Sequence, residues 1–500
     1  MVFSSNVFLL YFLPVFLLFY FVCPRRFRNY VILLFSIVFY AYGGPEFILI
    51  LLASTTATYF LVKAMVKRKT ENGTPKGSPT EREVKRKTAS WLCAIAIILN
   101  LGLLVYFKYA NFFVDNFNAI LSLFGIKGIN LSKIVLPIGI SFFTFQSITY
   151  VLDTYRGQVK PMDKLTDYIV YIMMFPQLIA GPIVKYSDVE QQLRHRECPP
   201  DECLHGFYRF VIGLCKKVLI ADVIAVQADA CFGADLATLD MGTAWIGSLA
   251  YTMQLYFDFS GYSDMAIGLG RIMGFKFPEN FNNPYTSRSI TEFWRRWHMT
   301  LGSFIMNYLY IPLGGNRKGK GRTYLNLWIC FLLSGLWHGA AWTFVAWGAF
   351  HGFFIVLEKL INGKRKVESG KWKEGENKLS TFHSSLSVLF TFLIVNFGWV
   401  LFRADTIAQA FDYYKAMFSF NFEGFGWDAG RQFYTMLIIA LVFSFLTLFP
   451  FGKKIEQVVF YKSYGTGGHI AAWLVSILLL FFCVAAMNAT GFSPFIYFRF

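Results

Sequence analysis

Long apolar runs alternate with short polar segments along the whole chain. A helix needs about 20 mostly apolar residues to cross a bilayer, and several runs approach or exceed that length. They include the stretches 1–22, 30–66, 91–107, 386–402, 434–450 and 470–488. A transmembrane β-barrel would show short alternating segments instead. The pattern therefore predicts an all-α, polytopic membrane protein, which we interpret as a single membrane domain over residues 1–500.

Basic residues cluster where apolar runs end. Arg25, Arg26 and Arg28 follow the first run, and Lys67 to Lys69 end the run that the Gly43-Gly44-Pro45 turn divides in two. Lys and Arg are enriched in cytoplasmic loops. The pattern places polar loops 67–90 and 364–378 in the cytoplasm. It predicts about eleven spans with both termini outside the cytoplasm.

Some apolar segments do not fit a simple span. The run 167–184 is interrupted by Pro176 and by Gly181-Pro182, which favours a re-entrant element whose backbone is covered by protein or water. Residues 205–222 mix aromatic residues with Lys216-Lys217 and are typical of an amphipathic, interfacial helix. Residues 108–124 are expected to lie at the interface as well.

Composition agrees with a membrane protein. The chain is 55% hydrophobic and 15% charged, whereas soluble domains carry about a quarter charged residues. The net charge of +17 resides in the gaps between apolar runs, so it does not indicate a nucleic-acid partner. The eight cysteines form no CxxC pair, and neither a disulfide framework nor a metal site is predicted.

Three ionisable residues, Asp258, Asp264 and Arg271, lie in the otherwise apolar stretch 243–273. We interpret them as a buried ionic network, with a carboxylate pairing Arg271, that positions helices. Direct catalysis is the alternative.

The segment 291–352 holds three of the seven histidines. His338 and His351 stand among apolar residues, and an ionisable group at membrane depth is by default a functional candidate. His338 lies between Trp337 and a glycine, which allows a ligand to approach closely. The alternative for His338 is a hydrogen-bonded packing residue, and for His351 we favour packing. His298 is either a second functional group or an interfacial anchor.

A glycine-rich basic loop, GGNRKGKGR, precedes the His338 segment. Its Arg317, Lys318 and Lys320 suit a phosphate-bearing cytosolic ligand. Burial disfavours the charged imidazolium and keeps His338 neutral, which is the form that a general base needs. The combination indicates group transfer from a phosphate-containing carrier to a hydroxyl.

The chain resembles the membrane-bound O-acyltransferase (MBOAT) superfamily, and within it the alginate O-acetyltransferase membrane subunit (AlgI-type) branch. The resemblance rests on LPIGISFFTFQSITYVLDTYRG, FPQLIAGPI, YFDFSGYSDMAIGLGRIMGFKFPENFNNPY, EFWRRWHMTLGSFIMNYLYIPLGGNRKG, LSGLWHGAAWTFVAWGAFHG, WVLFRA and PFIYFRF. It implies a ring of helices around a tunnel. It also implies that His338 is the catalytic histidine and that His298 is the second recurrent polar residue.

The resemblance further implies transfer of an acyl group, acetyl in the first instance, from a cytosolic thioester such as acetyl-CoA. No cofactor is expected to be tightly bound. The acceptor is expected to be an extracellular or cell-wall polysaccharide, and the partner an extracytoplasmic SGNH acetyltransferase similar to AlgJ or AlgX. The expected location is a bacterial inner membrane, in contact with the lipid bilayer.

The residues leave several alternatives open. His338 acts either as a general base or as a transient acyl acceptor. D-alanyl transfer to teichoic acid is the alternative within the family, and a glycan or lipid transporter or a non-catalytic scaffold is the alternative outside it. The acceptor polymer, the acyl group and the oligomeric state are not readable from the sequence.

Overall fold

The computed structural model describes residues 1–70, 79–361, 378–422, 429–490 and 494–496, and none of these residues forms a β-strand. The first eleven α-helices are α1 (Leu13–Val22), α2 (Arg28–Ala41), α3 (Ile48–Thr70), α4 (Pro79–Leu123), α5 (Ile140–Arg156), α6 (Leu165–Met173), α7 (Phe175–Leu178), α8 (Tyr186–Arg194), α9 (Pro200–Cys215), α10 (Asp222–Phe232) and α11 (Met241–Ile272). The others are α12 (Ile290–Arg296), α13 (Met299–Ile305), α14 (Gly319–His338), α15 (Trp342–Ile361), α16 (Lys378–Arg403), α17 (Ile407–Met417), α18 (Gly430–Phe445), α19 (Pro450–Glu456) and α20 (Thr466–Thr490). The all-α prediction is confirmed.

Six described helical segments are long and apolar enough to cross a membrane, and a shorter apolar helix covers Val7–Val22. The six are Pro45–Lys69, Arg86–Leu123, Trp342–Ile361, Ser385–Arg403, Gly430–Leu448 and Thr466–Ala489. Their outer faces are apolar: on α20, for example, Trp473 and Phe481 are 47% and 67% exposed. Such faces suit lipid contact. The predicted count of eleven spans is not confirmed.

Helix α4 departs from the prediction of a helix over 91–107 followed by a separate interfacial segment. It is one continuous helix of 45 residues. No proline interrupts it after Pro79, which occupies the first helical position, where proline is well tolerated. The helices α3 and α4 also extend into the predicted polar loop 67–90, of which residues 71–78 lie outside the described residues. The predicted loop 364–378 lies outside them too, except for Lys378.

The chain divides into two compact units. The first comprises Met1–Phe207 and Ala266–Pro278. Within it, the predicted interruption of the run 167–184 is confirmed, because α6 ends at Met173, α7 covers four residues, and Gly181 adopts a left-handed φ of 99°. Gly139 lies against this break: a Cβ at Gly139 would be 2.4 Å from the carbonyl oxygen of Leu178.

Arg271 also belongs to the first unit. Its guanidinium donates to the carboxylate of Glu202 at 2.5 and 3.1 Å. This hydrogen bond lowers the pKa of the Glu202 carboxyl. The prediction that a carboxylate pairs Arg271 is confirmed, and the partner comes from α9 rather than from the stretch that contains Arg271.

The second unit comprises Tyr208–Met265 and Glu279–Phe500. Its helices α14 and α15 pack closely because glycines replace side chains at their contact. A Cβ at Gly335 would be 2.2 Å from the carbonyl oxygen of Phe344, and one at Gly348 would be 2.4 Å from that of Phe331. The buried residues of α15 recur every three to four positions: Thr343, Phe344, Trp347, Gly348, His351, Gly352 and Ile355.

Two sets of ion pairs, which we together call the ionic network, lie in another part of the second unit. We define it by Arg209, Lys216, Lys217, Asp222, Asp258, Asp264 and Glu279. Asp264 pairs with Arg209 and Lys216, both at 2.7 Å, and Arg209 also pairs with Glu279 at 2.6 Å. Lys217 pairs with Asp258 at 2.8 Å and with Asp222 at 2.7 Å. The prediction that Asp258 and Asp264 are buried and ion-paired is confirmed, but Arg271, which was predicted to share their network, pairs with Glu202 instead.

Candidate functional site

His338 is the last residue of α14 and is 4% exposed. Aromatic rings contact its imidazole: the ring centroids of Trp347 and Phe402 each lie 5.1 Å away, in edge-to-face arrangements. Trp337, the preceding residue, lies at 4.9 Å. Such contacts fix the plane of the imidazole. The residue that follows is Gly339, where a Cβ would overlap the ring of Phe344.

His298 links α12 to α13 and has a left-handed backbone with φ of 44°. Residues other than glycine adopt this conformation uncommonly. The amide N–H of the next residue, Met299, donates to the carbonyl oxygen of Asn280 at 2.9 Å. The turn is therefore held by the loop that follows Pro278. The side chain of His298 is 1% exposed.

The start of α12 is also held from outside. The carboxylate of Glu358, on α15, accepts hydrogen bonds from the amides of Ile290 and Thr291 at 2.5 and 2.9 Å and from the Thr291 hydroxyl at 2.7 Å. The first backbone N–H groups of a helix have no acceptor within the helix, and Glu358 supplies one. Glu358 thus fixes the helix that leads to His298.

The imidazole of His298 is oriented by Asn280. Its Nδ1 lies 3.0 Å from Oδ1 of Asn280, and that oxygen also accepts from the Thr300 hydroxyl at 2.8 Å and the Thr300 amide at 3.4 Å. A backbone amide only donates, so the Asn280 atom is the carbonyl oxygen, and Nδ1 of His298 carries the proton. Nε2 is then the basic nitrogen, and it is buried with no hydrogen-bond partner among the described residues.

One indole contacts both predicted catalytic histidines. The Trp337 ring centroid lies 5.8 Å from that of His298 and 4.9 Å from that of His338. The structure therefore brings the histidines of RWH and LWHG, 40 positions apart in the sequence, to one indole ring.

His351 is fully buried on α15, between the rings of Trp294 and Trp347 at 5.0 and 5.1 Å. Neither ring nitrogen has a hydrogen-bond partner within the part of the chain that the structure describes. A Cβ at Gly398 would lie 2.6 Å from its Nε2, so the glycine makes room for the imidazole. The aromatic contacts agree with the packing role that we favour for His351.

The basic loop lies at the opposite end of α14 from His338. Arg317, Lys318 and Lys320 are exposed, and no ion pair involves them among the described residues. Nineteen residue steps along α14 separate Gly319 from His338, which at 1.5 Å per residue is about 28 Å. The loop therefore does not contact His338, and a ligand held at both places has to be long.

Asn280 is the site residue that reasoning from the sequence missed. It stands in the quoted stretch FKFPENFNNPY, between two glycine- and aromatic-rich segments. An asparagine in a Pro/Asn-rich loop is typical of a turn, and no local pattern distinguishes one that contacts a histidine 18 positions later.

The model of the MBOAT, membrane-bound O-acyltransferase family, matches residues 37–374. The chain is 40% identical over 553 residues to the probable alginate O-acetylase AlgI of Pseudomonas aeruginosa, with 100% of both chains covered.

Two further relatives differ in their named acceptors. The peptidoglycan O-acetyltransferase of Helicobacter pylori is 37% identical over 458 residues, which cover 84% of this chain and 80% of that protein. The teichoic acid D-alanyltransferase of Bacillus subtilis is 29% identical over 279 residues, which cover 53% of this chain and 68% of that protein. The similarity to the two acetyl-transferring relatives extends over much more of the chain.

Proposed function

This chain belongs to the membrane-bound O-acyltransferase family, and on that premise we propose that it is a membrane O-acetyltransferase. The acetyl group comes from a cytosolic thioester, acetyl-CoA, and is destined for hydroxyls of an extracellular or cell-wall polysaccharide. Full-length similarity to a probable alginate O-acetylase and broad similarity to a peptidoglycan O-acetyltransferase support this proposal. The chain is a multi-pass membrane protein, and we place it in the bacterial inner membrane with both termini outside the cytoplasm.

The observation that carries the proposal is the arrangement of α14. A basic loop lies at one end, where Arg317, Lys318 and Lys320 are exposed and form no ion pair among the described residues, and a buried histidine enclosed by aromatic rings lies at the other. Coenzyme A has the matching shape, because its phosphates and its thioester are separated by a long flexible arm. In the proposed complex, Arg317, Lys318 and Lys320 attract the phosphates, and the thioester reaches His338.

His338 is the proposed catalytic histidine, as a general base or a transient acyl acceptor, and His298 is the second catalytic residue. The rings around His338 exclude water, which protects a reactive acyl group from hydrolysis. Completion of the transfer on the outer side falls to an extracytoplasmic SGNH-type partner similar to AlgJ or AlgX. That partner hands the acetyl group to the polymer.

D-alanyl transfer to teichoic acid is the second candidate, because a teichoic acid D-alanyltransferase is among the relatives. It predicts D-alanyl esters on the polymer and a carrier protein as donor. The lower identity and the half-length match favour acetyl transfer.

The experiment is to measure ester-linked acetyl and D-alanyl groups on the cell-surface polymers of cells that carry the wild-type chain or His338→Ala. A lost catalytic base or nucleophile lowers acetylation by at least about 100-fold at an unchanged protein level. His195→Ala, a change at an exposed histidine of the first unit, is the matched control. Wild-type ester content in His338→Ala would overturn the proposal, and loss of D-alanyl ester would establish the second candidate.

A further inference from the structure

The turn between α1 and α2 carries three arginines, Arg25, Arg26 and Arg28, directly after an apolar helix. None of them forms an ion pair within the described parts of the chain. Arg25 and Arg26 are exposed, as basic residues that flank a membrane span usually are. The side chain of Arg28 is half-buried, so its position next to an apolar helix does not by itself explain its surroundings.

Two guanidinium groups lie against the ring of Tyr20, which is buried near the end of α1. The Cζ atom of Arg28 is 5.0 Å from the centre of this ring, and that of Arg196 is 5.8 Å from it. Arg196 donates from Nε to the Tyr20 hydroxyl at 2.9 Å and from Nη1 to the side-chain oxygen of Asn29 at 2.6 Å, and its Nη2 is buried. Among the described residues, Arg28 donates only from Nη1, to Sγ of Cys198 at 3.7 Å, which is a weak acceptor. The donors of Arg196 thus face the protein, whereas Nη2 of Arg28 is left for an anion.

Both guanidiniums lack a counter-charge. No carboxylate oxygen of the described residues lies within 4.0 Å of either one. Asp167 instead accepts from Nδ2 of Asn29 at 2.9 Å, and Glu197, the neighbour of Arg196 in the sequence, is exposed. Two like charges against one buried ring repel each other, and each disfavours the charged form of the other. An anion at Arg28 offsets this repulsion, and a planar guanidinium matches two oxygens of a phosphate group.

The exposed apolar surface of α1 and α2 begins next to these arginines. The two helices pack against each other through Phe16 and Phe35, whose ring centroids are 5.4 Å apart. On their other faces Leu18, Val22 and Leu34 are each at least 60% exposed. A soluble phosphate ester has no group that covers such a surface, whereas a phospholipid has a phosphate for the arginines and acyl chains for the apolar side chains. The combination of charge and apolar surface therefore favours a lipid.

We propose that the turn between α1 and α2 binds the phosphate of an anionic phospholipid, whose acyl chains lie along the exposed faces of these two helices. Arg28 binds the phosphate directly, and Arg196 adds a second positive charge at the same tyrosine ring. Arg25 and Arg26 add attraction at the membrane surface. The proposed topology places this turn at the cytoplasmic leaflet, where anionic lipids attract basic segments. Binding at this site does not depend on acyl transfer, so its test needs no catalytic readout.

The experiment titrates the purified full chain, in a neutral detergent, with phosphatidylglycerol. Bound lipid is counted by native mass spectrometry, and the thermal unfolding midpoint Tm is recorded in parallel. Phosphatidylcholine with the same acyl chains is the ligand without net charge, and glycerol 3-phosphate is the phosphate ester without chains. We expect phosphatidylglycerol to bind and to raise Tm, and phosphatidylcholine to bind at least about fivefold more weakly. Glycerol 3-phosphate is expected to leave Tm unchanged.

Arg28→Gln is the decisive variant, because it breaks only one hydrogen bond to the described residues, the long one to Cys198. It is expected to weaken phosphatidylglycerol binding by about five- to tenfold. Arg28→Lys keeps the charge without the planar group and is expected to restore part of the affinity. Arg86→Gln is the matched control, because it removes the same charge from an exposed arginine at the start of the membrane-crossing segment Arg86–Leu123, and it should bind phosphatidylglycerol as the wild type does.

Equal binding of phosphatidylglycerol by Arg28→Gln and by the wild type would overturn the proposal. If Arg28→Gln does not fold, Arg28→Lys decides, and binding equal to that of the wild type would then exclude recognition by the guanidinium. Phosphatidylcholine that binds as tightly as phosphatidylglycerol would also overturn it, because apolar contact alone would then hold the lipid. A rise in Tm with glycerol 3-phosphate as large as that with phosphatidylglycerol would assign the site to a soluble phosphate ester and exclude the lipid.

Discussion

The ionic network and the histidine region of the second unit solve the problem of buried polar groups in opposite ways. In the network, each carboxylate has a cationic partner within 2.8 Å. The histidine region, defined by His298, Trp337, His338 and Trp347, consists of imidazoles among aromatic rings, and Nε2 of His298 is left without a described partner.

The difference indicates which polar residues hold the fold and which do chemistry. A fully paired ionic group has no bond to offer to a substrate, and removing one partner leaves a buried charge uncompensated. The buried Nε2 of His298 costs stability while it lacks a partner, and under the proposed function its partner arrives with the substrate. Substitutions in the ionic network should therefore lower the amount of folded protein, whereas substitutions in the histidine region should lower the activity of each protein molecule.

The largest expected effect is on the network. Asp264→Leu removes a buried carboxylate and leaves the half-buried Arg209 and Lys216 without it, which destabilises the protein by up to about 3–5 kcal/mol. The level of protein in the membrane and its thermal aggregation temperature should both fall. Asp412→Leu, at an exposed pair with Lys415, is the control and is expected to change stability by less than about 1 kcal/mol. If Asp264→Leu gave a stable protein that does not acetylate, the network would have a role in catalysis, which contradicts the division between a stabilising network and a catalytic histidine region.

An intermediate effect is expected at the contact of α14 with α15, where one substitution should lower both stability and activity. Gly348→Ala places a methyl group 2.4 Å from the carbonyl oxygen of Phe331 and must push the helices apart, at a cost of about 1–3 kcal/mol. Since His338 and Trp347 lie on these two helices, acetylation per molecule of protein should fall as well. The readout is polymer acetyl ester divided by protein level.

Gly321→Ala is the matched control for this change. It lies near the start of α14, where a Cβ meets no atom within 4 Å, so it should be neutral or slightly stabilising. Unchanged acetylation per molecule in Gly348→Ala would mean that the spacing of the two helices does not set the position of His338.

The smallest effect is expected at the basic loop. Lys318→Ala together with Lys320→Ala removes exposed charges, so the KM for acetyl-CoA should rise by only about three- to fivefold at low salt. Because the Debye length falls from about 10 Å at 0.1 M to 3 Å at 1 M salt, the difference from the wild type should vanish at high salt. Lys127→Ala, at another exposed lysine, is the control. If the double substitution left KM unchanged at low salt, the donor's phosphates would not bind at this loop.

Much of the fold follows from local pattern. The Gly43-Gly44-Pro45 turn, the break near Pro176 and the helix over the apolar run 386–402 are local consequences of glycine, proline and apolar residues. The extent of α4 was not predicted, because the polar residues before position 91 are good helix formers and only tertiary context decides whether they continue a helix. The assignment of a single membrane domain stays a prediction.

The site could be predicted in part. Histidines in apolar surroundings can be recognised from the sequence as functional candidates, because it is costly to bury an ionisable side chain. Asn280 gives no such signal, since asparagine is common in loops, and its role depends on a contact between distant segments. The pairing of Arg271 with Glu202 was hidden for the same reason: the type of partner follows from physics, but its position follows from packing.

Helix α14 has a further consequence through its peptide dipoles. Aligned along the axis, they leave partial positive charge at the end that bears the basic loop and partial negative charge at the end that bears His338. An imidazole that attacks an acyl carbonyl becomes cationic, and the last turn of the helix favours that charge by about 0.3–2 kcal/mol. A single helix can thus attract an anionic carrier at one end and stabilise a positive reaction intermediate at the other.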